Sequence, residues 1–347
     1  METFNSRIIN TPYPGIIQGS KLSSTFYNLY VNEVTDIYKL IYDPLFESIT
    51  GRKTKLNYKN ISHLTINFID DSSSVISAAD HSHLKHYLED YYELLHEYYN
   101  INKLKINPEK NQILLIYKNS LVNVFKNFSF NAKGHIIKKS NTIKLLGTYI
   151  SADLKMDREI NNLSSQLHSR IHSLKQLTPY TDFRTRLIFA NSFIIGKLIY
   201  MLPLYLHASQ VLKNKLHKVL MTAARVVISD FCYKKSCSYI LKKCQWLSIK
   251  NYIIKSGIIV FYKIVTDNEP VALFELYKKN LKQRSCTKWS TIYKPKTVNM
   301  EKYFIYKSIN LFYNLPYNLQ NAKSTTFNKK LKKYLMNSPD YTFDSCD

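Results

Sequence analysis

The spacing of apolar residues in the first part of the chain changes repeatedly between helical and extended periods. Ser20 is a good N-cap, and the apolar residues behind it predict a long helix over 22–40. Two short apolar runs joined by a polar turn predict a β-hairpin over 64–79, and an amphipathic helix follows Asp80. Two further strands and a turn are predicted at residues 113–117, 143–150 and 131–134. This order predicts an α+β fold, with helices on one face of an antiparallel sheet.

After about residue 153 the apolar pattern becomes almost entirely helical. The stretch Lys282–Met300 is basic and has no periodicity, so we expect an exposed connection there. The most apolar stretch, Phe193–Leu206, contains Lys197 and Pro203 and is too short to span a bilayer, which favours a buried helix. The predicted helices are residues 160–174, 185–206, 211–227, 249–265, 303–313 and 327–335.

The predicted hairpin places two adjacent carboxylates, Asp70 and Asp71, at its tip. Carboxylates in this arrangement can bind a divalent cation, and a bound cation can position phosphate oxygens for displacement. The alternative interpretation is a solvated turn, in which aspartate is a common residue. The sequence around the pair is needed to distinguish a cation site from a solvated turn.

The chain is strongly basic: among its 347 residues, 49 are Lys or Arg and 25 are Asp or Glu, a formal net charge of +24. This excess favours a polyanionic partner, first of all nucleic acid. An A+T-rich coding bias is the alternative source of the lysines. The 28 tyrosines suit stacking on bases, although we expect more of them to fill the core. The hydrophobic content of 45% excludes a disordered chain.

Cysteine and histidine spacing predicts no metal site. The five cysteines match no zinc motif, so we expect packing thiols, reduced in an intracellular protein of the nucleus or cytoplasm. His81, His83 and His86 are expected to be solvated at the start of a helix, where positions 81 and 83 point to different faces. No signal peptide opens the sequence, so neither secretion nor a membrane partner is expected. The cysteines are Cys232, Cys237, Cys244, Cys286 and Cys346.

Several segments, taken in order, resemble motifs of reverse transcriptases of the non-LTR retrotransposon (LINE or jockey-like) type. Each motif alone is weak, and the ordered set, which covers about residues 12–336, carries the resemblance. In the first half they are Gln18-Gly19-Ser20 with Phe26 and residues 30–33, then Phe68-Ile69-Asp70-Asp71, Leu104–Lys110 and Ile143–Ile150. In the second half they are Trp246–Ile249, Tyr262-Lys263, Pro270, Phe312–Pro316 and the lysine-rich segment 329–333.

The resemblance implies an RNA-directed DNA polymerase, a nucleotidyltransferase that uses Mg²⁺ or Mn²⁺ and binds RNA and DNA as template and primer. It implies that Asp70 and Asp71 hold the metal and that Lys110 faces the triphosphate as a charge partner or proton donor. Leu146 and Gly147 would belong to the primer grip. The residues implied to contact the nucleotide or template are Gln18, Gly19, Ser20 and Phe68.

The fold implied by the resemblance is a partial polymerase palm followed by helical regions. The palm would cover residues 1–152, a thumb-like helical region 153–230, and a basic helical C-terminal region 231–347. Family members also carry fingers and an upstream palm strand with a third metal-binding Asp, whereas residues 1–17 contain no Asp. We therefore expect a polymerase truncated at its N-terminus and inactive as a lone chain, unless a separate upstream polypeptide completes the palm.

Smaller departures are Ser24 and Glu33, where the family usually has Pro and Asp.

Two other functions stay open. One is a catalytically dead relic that binds nucleic acid through its basic helices, and the other is a repurposed interaction protein. A salt-dependent affinity for RNA or DNA would favour the first, and a defined protein partner without nucleic acid would favour the second.

Overall fold

The computed structural model describes residues 22–42, 50, 58, 60–232, 234–279, 281–284, 287–292 and 304–337. The fold is α+β, mostly helical with small sheets, which confirms the general class expected from the sequence. Two compact units divide the chain, Met1–Asn141 and Thr142–Asp347. The expected palm, thumb and C-terminal divisions stay predictions. Among the described helices, none has the combination of length and apolar character that crossing a membrane requires.

The described residues of the first unit form two α-helices of four or more residues and two small sheets. Its regular elements are α1 (Ser23–Tyr30), β1 (Ile61–Phe68), β2 (Asp71–Ala78), α2 (His81–Ile101), β3 (Ile113–Leu114), β4 (Ser129–Ala132) and β5 (His135–Ser140). The expected helix over 22–40 is wrong in length, because α1 ends at Tyr30 and 3₁₀ turns follow it. The residues after Tyr30 include Val31, Asn32 and Thr35, which are poor helix formers.

The β-hairpin is confirmed, with β1 and β2 antiparallel from Ile61↔Ala78 to Phe68↔Asp71. Helix α2 packs on it through one apolar stripe, which includes Tyr87, Tyr91 and Leu94. A second stripe of α2, with Leu88 and Tyr92, packs instead on Phe130, Ala132 and Ile137 of β4 and β5. The helix thus carries two apolar faces, and each of them covers a different small sheet.

The strands of the first unit therefore do not form the single antiparallel sheet that the sequence predicted. Strands β4 and β5 form an antiparallel hairpin whose turn, Lys133–Gly134, confirms the turn predicted at 131–134. Strand β3 pairs parallel to β5 and is shorter than the strand predicted over 113–117. Among the described strands, β1 and β2 form a separate two-stranded sheet.

The second unit begins with a hairpin, β6 (Thr142–Leu145) and β7 (Thr148–Ser151). The strand predicted over 143–150 is therefore wrong, because the chain reverses at Leu146–Gly147. Both turn residues have positive φ, 46° and 84°. Two consecutive residues with positive φ are characteristic of a type I′ turn, the tight connection that matches the twist of paired strands.

The remainder of the second unit is mostly helical, as predicted. Its helices are α3 (Asp157–Leu177), α4 (Phe183–Phe189), α5 (Gly196–Ile199), α6 (Gln210–Ile228), α7 (Cys237–Cys244), α8 (Ile249–Asp267), α9 (Val271–Lys279), α10 (Phe304–Tyr313), α11 (Tyr317–Gln320) and α12 (Ser324–Asn337). The single helix predicted over 185–206 is instead α4, a π-helical segment Ala190–Ile195, α5, and a 3₁₀ helix Leu202–His207 that contains Pro203.

One hydrophobic core joins the helices of this unit except α9, whose Tyr277 packs in a second cluster with Phe261, Ile264 and Ile309. Its buried members include Ile160 near the start of α3, Leu216 on α6, Ile253 on α8 and Leu331 on α12. Burial of such side chains stabilises each by roughly 1.5–3 kcal/mol relative to exposure.

The basic stretch from Lys282 onward is partly extended rather than irregular. Strands β8 (Leu281–Arg284) and β9 (Thr287–Ile292) pair antiparallel, so the connection expected over 282–300 contains paired strands that the sequence pattern did not predict. The β-branched Thr287, Thr291 and Ile292 in β9 favour the extended backbone. Residues 293–300 lie outside the described part of the chain.

Candidate functional site

The tip of the first hairpin is a two-residue turn made by Ile69 and Asp70. Phe68 and Asp71 are the last paired residues on either side of it. Cross-strand partners point to the same face of a sheet, so the Asp71 side chain lies on the face of Phe68, and Asp70 lies in the turn itself. Both aspartates are exposed, as the sequence predicted for the pair.

Ile69 adopts an unfavourable backbone conformation, with φ of 56°. A positive φ is rare for a β-branched residue, since its side chain crowds the backbone in that region. Such a residue costs on the order of 1–3 kcal/mol and persists only where the surroundings impose it. Lys133 and Leu146, with φ of 48° and 46°, adopt the same conformation at the first position of the other tight hairpin turns, so the angle at Ile69 follows from the two-residue turn that presents Asp70.

Asp70 acts electrostatically on the helix that precedes the hairpin. Burial raises the pKa of the Tyr27 phenol, and the nearby negative charge of Asp70 raises it further. Tyr27 lies on α1, directly after the segment Gln18–Ser20, which itself falls outside the described residues. The middle of α1 and the acidic tip are therefore close enough to interact. The positions of Gln18, Gly19 and Ser20 themselves stay predictions.

The donor set at the tip suits a hard divalent cation. Neither the Asp70 nor the Asp71 carboxylate has a hydrogen bond or ion pair to another described residue. The side-chain oxygen of Asn67 is buried without a hydrogen-bond partner among the described residues, but Asn67 pairs with Ser72 on the face opposite Phe68 and Asp71, so it does not join the Asp71 carboxylate in one donor set. Mg²⁺ prefers such oxygen ligands, and it is commonly bound by one or two carboxylates together with substrate phosphates. The described residues contain no cluster of three or more His, Cys, Asp or Glu for a metal.

One face of the hairpin is apolar and exposed. Its four residues, with exposed fractions of 44%, 56%, 57% and 63%, are Leu64, Ile66, Phe68 and Val75. Phe68 therefore lies on an open surface next to Asp71, where a flat ligand can reach its ring. An exposed ring fits the contact to a nucleotide or template that the resemblance implies for Phe68. The contact itself stays a prediction.

The opposite face of the hairpin is held by a buried polar network that the sequence did not suggest. His63 Nδ1 and the Tyr87 hydroxyl are 2.7 Å apart, and His63 Nε2 and the Thr65 hydroxyl are 2.9 Å apart. The Ser74 hydroxyl links Thr65 on β1 to Tyr91 on α2, at 2.9 and 3.0 Å. Burial lowers the pKa of His63 to about 4, so the ring is neutral at pH 7. The network fixes the hairpin on α2.

Lys110 lies at the end of a 3₁₀ turn, Pro108–Lys110, and is exposed. The Asn107 side chain caps this turn by accepting from the Glu109 amide at 3.1 Å. Among the described residues no contact joins Lys110 to Asp70 or Asp71. The role implied for Lys110 therefore stays a prediction.

Leu146 and Gly147 form the turn of the β6–β7 hairpin in the second unit. The Tyr200 hydroxyl donates to the Leu146 carbonyl at 3.1 Å. Buried Glu159 on α3 accepts from the Tyr149 amide at 2.8 Å and from the Tyr205 hydroxyl at 3.4 Å. The hairpin is thus anchored to the helices from both sides. Glu159 was missed in the sequence, where its place in the first turn of a helix marks only a favourable helix start.

The histidine and cysteine residues considered in the sequence do not assemble into a site among the described residues. His86 is exposed and lies 3.7 Å from Glu89. Cys232 and Cys237 are exposed free thiols, whereas Cys244 is buried, which raises its thiol pKa to about 11. A thiol with so high a pKa is unreactive at neutral pH.

Comparison with known proteins identifies no relative: no family model, no curated protein and no solved structure matches this chain.

Proposed function

We propose that this chain is a reverse transcriptase-like protein of the non-LTR retrotransposon type, with the Asp70–Asp71 hairpin as its metal site. The observation that carries the proposal is a pair of exposed carboxylates at a strained turn, within electrostatic reach of the helix that follows the Gln18 motif. A solvated turn would account for the exposed aspartates. The positive φ of Ile69 fits both interpretations, because a two-residue hairpin turn needs that conformation at its first position. The ordered motifs around the pair favour the metal site.

In this proposal Asp70 and Asp71 supply carboxylate oxygens for the metal, beside the 3′ end of a primer. When bound, Mg²⁺ would neutralise charge on the phosphates during nucleotide addition. Phe68 would contact the nucleotide or template base from the exposed face of the hairpin. Lys110 would stabilise the triphosphate charge, and the Leu146–Gly147 turn would contact the primer.

We expect residues 1–347, tested by themselves, to be a poor polymerase. The resemblance assigns a third carboxylate to a strand upstream of Gln18, and residues 1–17 contain no Asp. Loss of one metal ligand should remove most of the rate, since catalysis of phosphoryl transfer depends on positioning and charge stabilisation.

Binding of Mn²⁺ at the tip tests the proposal independently of turnover. Mn²⁺ titrated into isotope-labelled protein should broaden the NMR signals of residues 68–71 before others. Asp70→Asn and Asp71→Asn should each remove most of this effect. The control Asp267→Asn changes an exposed aspartate at the end of α8 and should leave the effect intact. Uniform broadening, or broadening unaffected by the two tip variants, would contradict a metal site here.

Primer extension then tests the activity. An RNA template with a DNA primer, deoxynucleotides and Mg²⁺ or Mn²⁺ should give at most weak extension, abolished by Asp70→Asn and retained by Asp267→Asn. Extension that survives loss of both tip carboxylates would refute the assignment of Asp70 and Asp71.

A second candidate function, nucleic-acid binding without catalysis, has its own observation. Helix α12 buries Phe327, Leu331 and Leu335 and exposes Lys329, Lys330 and Lys333 on its outer face. Such a lysine face can follow a phosphate backbone, and the net charge of +24 favours this.

A salt series decides whether the chain binds nucleic acid in this way. Fluorescence anisotropy with a labelled single-stranded RNA should show affinity falling by several orders of magnitude between roughly 50 and 200 mM salt, if many phosphates are contacted. Replacing Lys329, Lys330 and Lys333 by Gln should flatten that slope, whereas the same number of changes at exposed lysines on other helices should flatten it less. Binding that ignores salt would exclude this mode.

A further inference from the structure

A cleft in the second unit lies between α3 and α6 and is open to solvent. Its volume is about 340 Å³, at the lower end of the range of about 300–1,000 Å³ that is typical of small-ligand sites. Ile171 on α3 and Val226 on α6 form an apolar part of its lining, whereas His168, His172 and Lys175 follow one face of α3 at helical spacing. The cleft therefore suits one small ligand that has both an apolar and a polar part.

An aromatic ring, that of Phe231, lines the cleft and is 46% exposed. The preceding residue, Asp230, fixes the backbone around it. Its carboxylate accepts from Arg225 Nη1 at 2.7 Å and from the backbone amides of Lys234 and Lys235 at 3.1 Å each. Because these bonds join the last turn of α6 to the segment behind Phe231, the ring is held in position before any ligand binds, which lowers the entropic cost of binding.

The side chains that line the cleft carry a net positive charge beside this ring. Asp230 is the one carboxylate among the described lining residues, and the Arg225 guanidinium offsets its charge. Lys175 adds a further positive charge, and its Nζ lies 5.6 Å from the centroid of the Phe231 ring. An anionic group bound at Lys175 is therefore only a short link away from a planar group that contacts the ring.

The carbonyl ends of α3 and α6, which would otherwise repel an anion, are covered by the buried side chain of Arg186. Its Nε donates to the Val227 carbonyl at 2.9 Å, and its Nη1 donates to the Thr178 carbonyl at 3.3 Å. Thr178 is the C-cap of α3, and Val227 lies in the last turn of α6. The helix dipole places partial negative charge at these ends, and the guanidinium charge offsets it.

We infer that this cleft binds a nucleotide, with the base stacked on Phe231 and the phosphate beside Lys175. Aromatic side chains stack on any nucleobase, and a lysine donates charge-assisted hydrogen bonds to phosphate oxygens. His168 and His172 lie on the same face of α3 and can donate further hydrogen bonds to the ribose or the phosphate. The inference concerns the second unit alone and does not depend on the metal site proposed for the first hairpin. The nucleotide can be a free molecule or one unit of a nucleic-acid strand.

Isothermal titration of the full chain with AMP and with ribose 5-phosphate, at low salt, separates the two contacts. AMP should bind roughly tenfold more tightly, because the stacking of one base on an aromatic ring is worth about that factor. Phe231→Ala should remove this difference by weakening AMP alone. Lys175→Met should weaken both ligands by roughly tenfold, since both present the same phosphate.

Two variants outside the cleft lining are the matched controls. Tyr317→Ala removes an aromatic ring that is 81% exposed, and Lys242→Met removes an exposed lysine from α7. Each should change the affinity for AMP by less than about twofold, with folding of all variants checked by circular dichroism. Absence of AMP binding, or losses in the two controls that equal those in Phe231→Ala and Lys175→Met, would overturn the inference.

The unmodified protein supplies a second readout that a folding defect in a variant cannot imitate. In protein with labelled phenylalanine, AMP should shift the ring NMR signals of Phe231, because a stacked base lies over the ring. Ribose 5-phosphate should leave these signals nearly unchanged. If AMP binds and the Phe231 signals do not move, the stacking contact is wrong.

Competition identifies the source of the nucleotide. If a single-stranded oligonucleotide displaces AMP, and its own affinity falls in Phe231→Ala, the cleft takes a nucleotide within a strand. If the oligonucleotide leaves AMP bound, the cleft takes a free nucleotide. Either result supports a nucleotide site, whereas failure of AMP and the oligonucleotide alike to bind would refute it.

Discussion

Removal of Glu159 should loosen the hairpin that carries Leu146 and Gly147. Its carboxylate accepts from the Tyr149 amide of β7 at 2.8 Å and from the Tyr205 hydroxyl at 3.4 Å. Both Glu159 and Tyr205 are buried, at 5% and 1% exposed. Water therefore cannot readily replace the carboxylate at the Tyr205 hydroxyl if Glu159 is shortened.

The expected cost follows from these two contacts. A hydrogen bond to a charged acceptor contributes about 1.5–3 kcal/mol, and a buried donor left unpaired costs about 1–3 kcal/mol. The longer bond to Tyr205 is weak, so we take only its lower bound and expect Glu159→Ala to lower the free energy of unfolding by about 2.5–4 kcal/mol. Glu159→Gln keeps an uncharged acceptor and should cost roughly 1 kcal/mol.

Urea unfolding of the full chain, followed by circular dichroism, measures this cost, and hydrogen exchange at the Tyr149 amide reports the hairpin itself. Asp157→Ala is the matched control, because Asp157 lies exposed in the same first turn of α3 and should lose only about 0.3–1 kcal/mol of helix-dipole stabilisation. If Glu159→Ala costs no more than Asp157→Ala, or leaves the exchange of the Tyr149 amide unchanged, the anchoring role is wrong.

Three further predictions concern single positions. Leu146→Asn should raise the free energy of unfolding by about 1 kcal/mol in urea unfolding, because Asn tolerates the positive φ of this turn better than Leu. The folded-state pKa of His63, about 4, lies below its unfolded value of 6.5, so the folded state binds fewer protons and stability falls as pH drops from 6.5 to 4. Thermal unfolding across that range should show a loss on the order of 2–3 kcal/mol, smaller in His63→Gln. Gly257→Ala would place a Cβ 2.8 Å from Leu206 Cδ1. Overpacking of about 1–3 kcal/mol should exceed the helix-propensity gain of about 1 kcal/mol, which a lowered melting temperature would show.

The helices were predictable where the chain carries both an apolar stripe and an end signal. Helix α8 was predicted over 249–265 and spans Ile249–Asp267, with the Ser248 hydroxyl accepting from the Asn251 amide at its start. Prediction failed where the backbone conformation of one or two residues reverses the direction of the chain. The run 143–150 reads as one strand, and only the positive φ at Leu146 and Gly147 turns it into a hairpin. Such backbone conformations depend on tertiary contacts that a local pattern does not contain.

The sequence predicted the exposed aspartates of the candidate site, but not the buried groups that hold the hairpins in place. Adjacent aspartates between two apolar runs predicted the acidic tip, and the structure places Asp70 and Asp71 there. The groups that hold each hairpin come from distant parts of the sequence. His63 meets Tyr87 at 24 residues' separation, and Glu159 meets Tyr205 at 46. No spacing rule links such pairs, so their association required the three-dimensional structure.

The buried polar network explains why the Asp70–Asp71 pair lies at the tip at all. Side chains alternate along a strand, so a slip of one residue in β1 would expose His63 and Thr65 and bury the apolar outer face. Burial of apolar groups alone would favour that slipped register, because Leu64, Ile66 and Phe68 on the outer face of β1 are now 44%, 56% and 57% exposed. The hydrogen bonds from His63 and Thr65 to α2 and β2 oppose it, since a slip would leave their buried partners unpaired. The register in turn decides which residues occupy the turn. The polar inner face thus maintains the acidic tip, and the exposed apolar face is the cost of keeping both carboxylates in place.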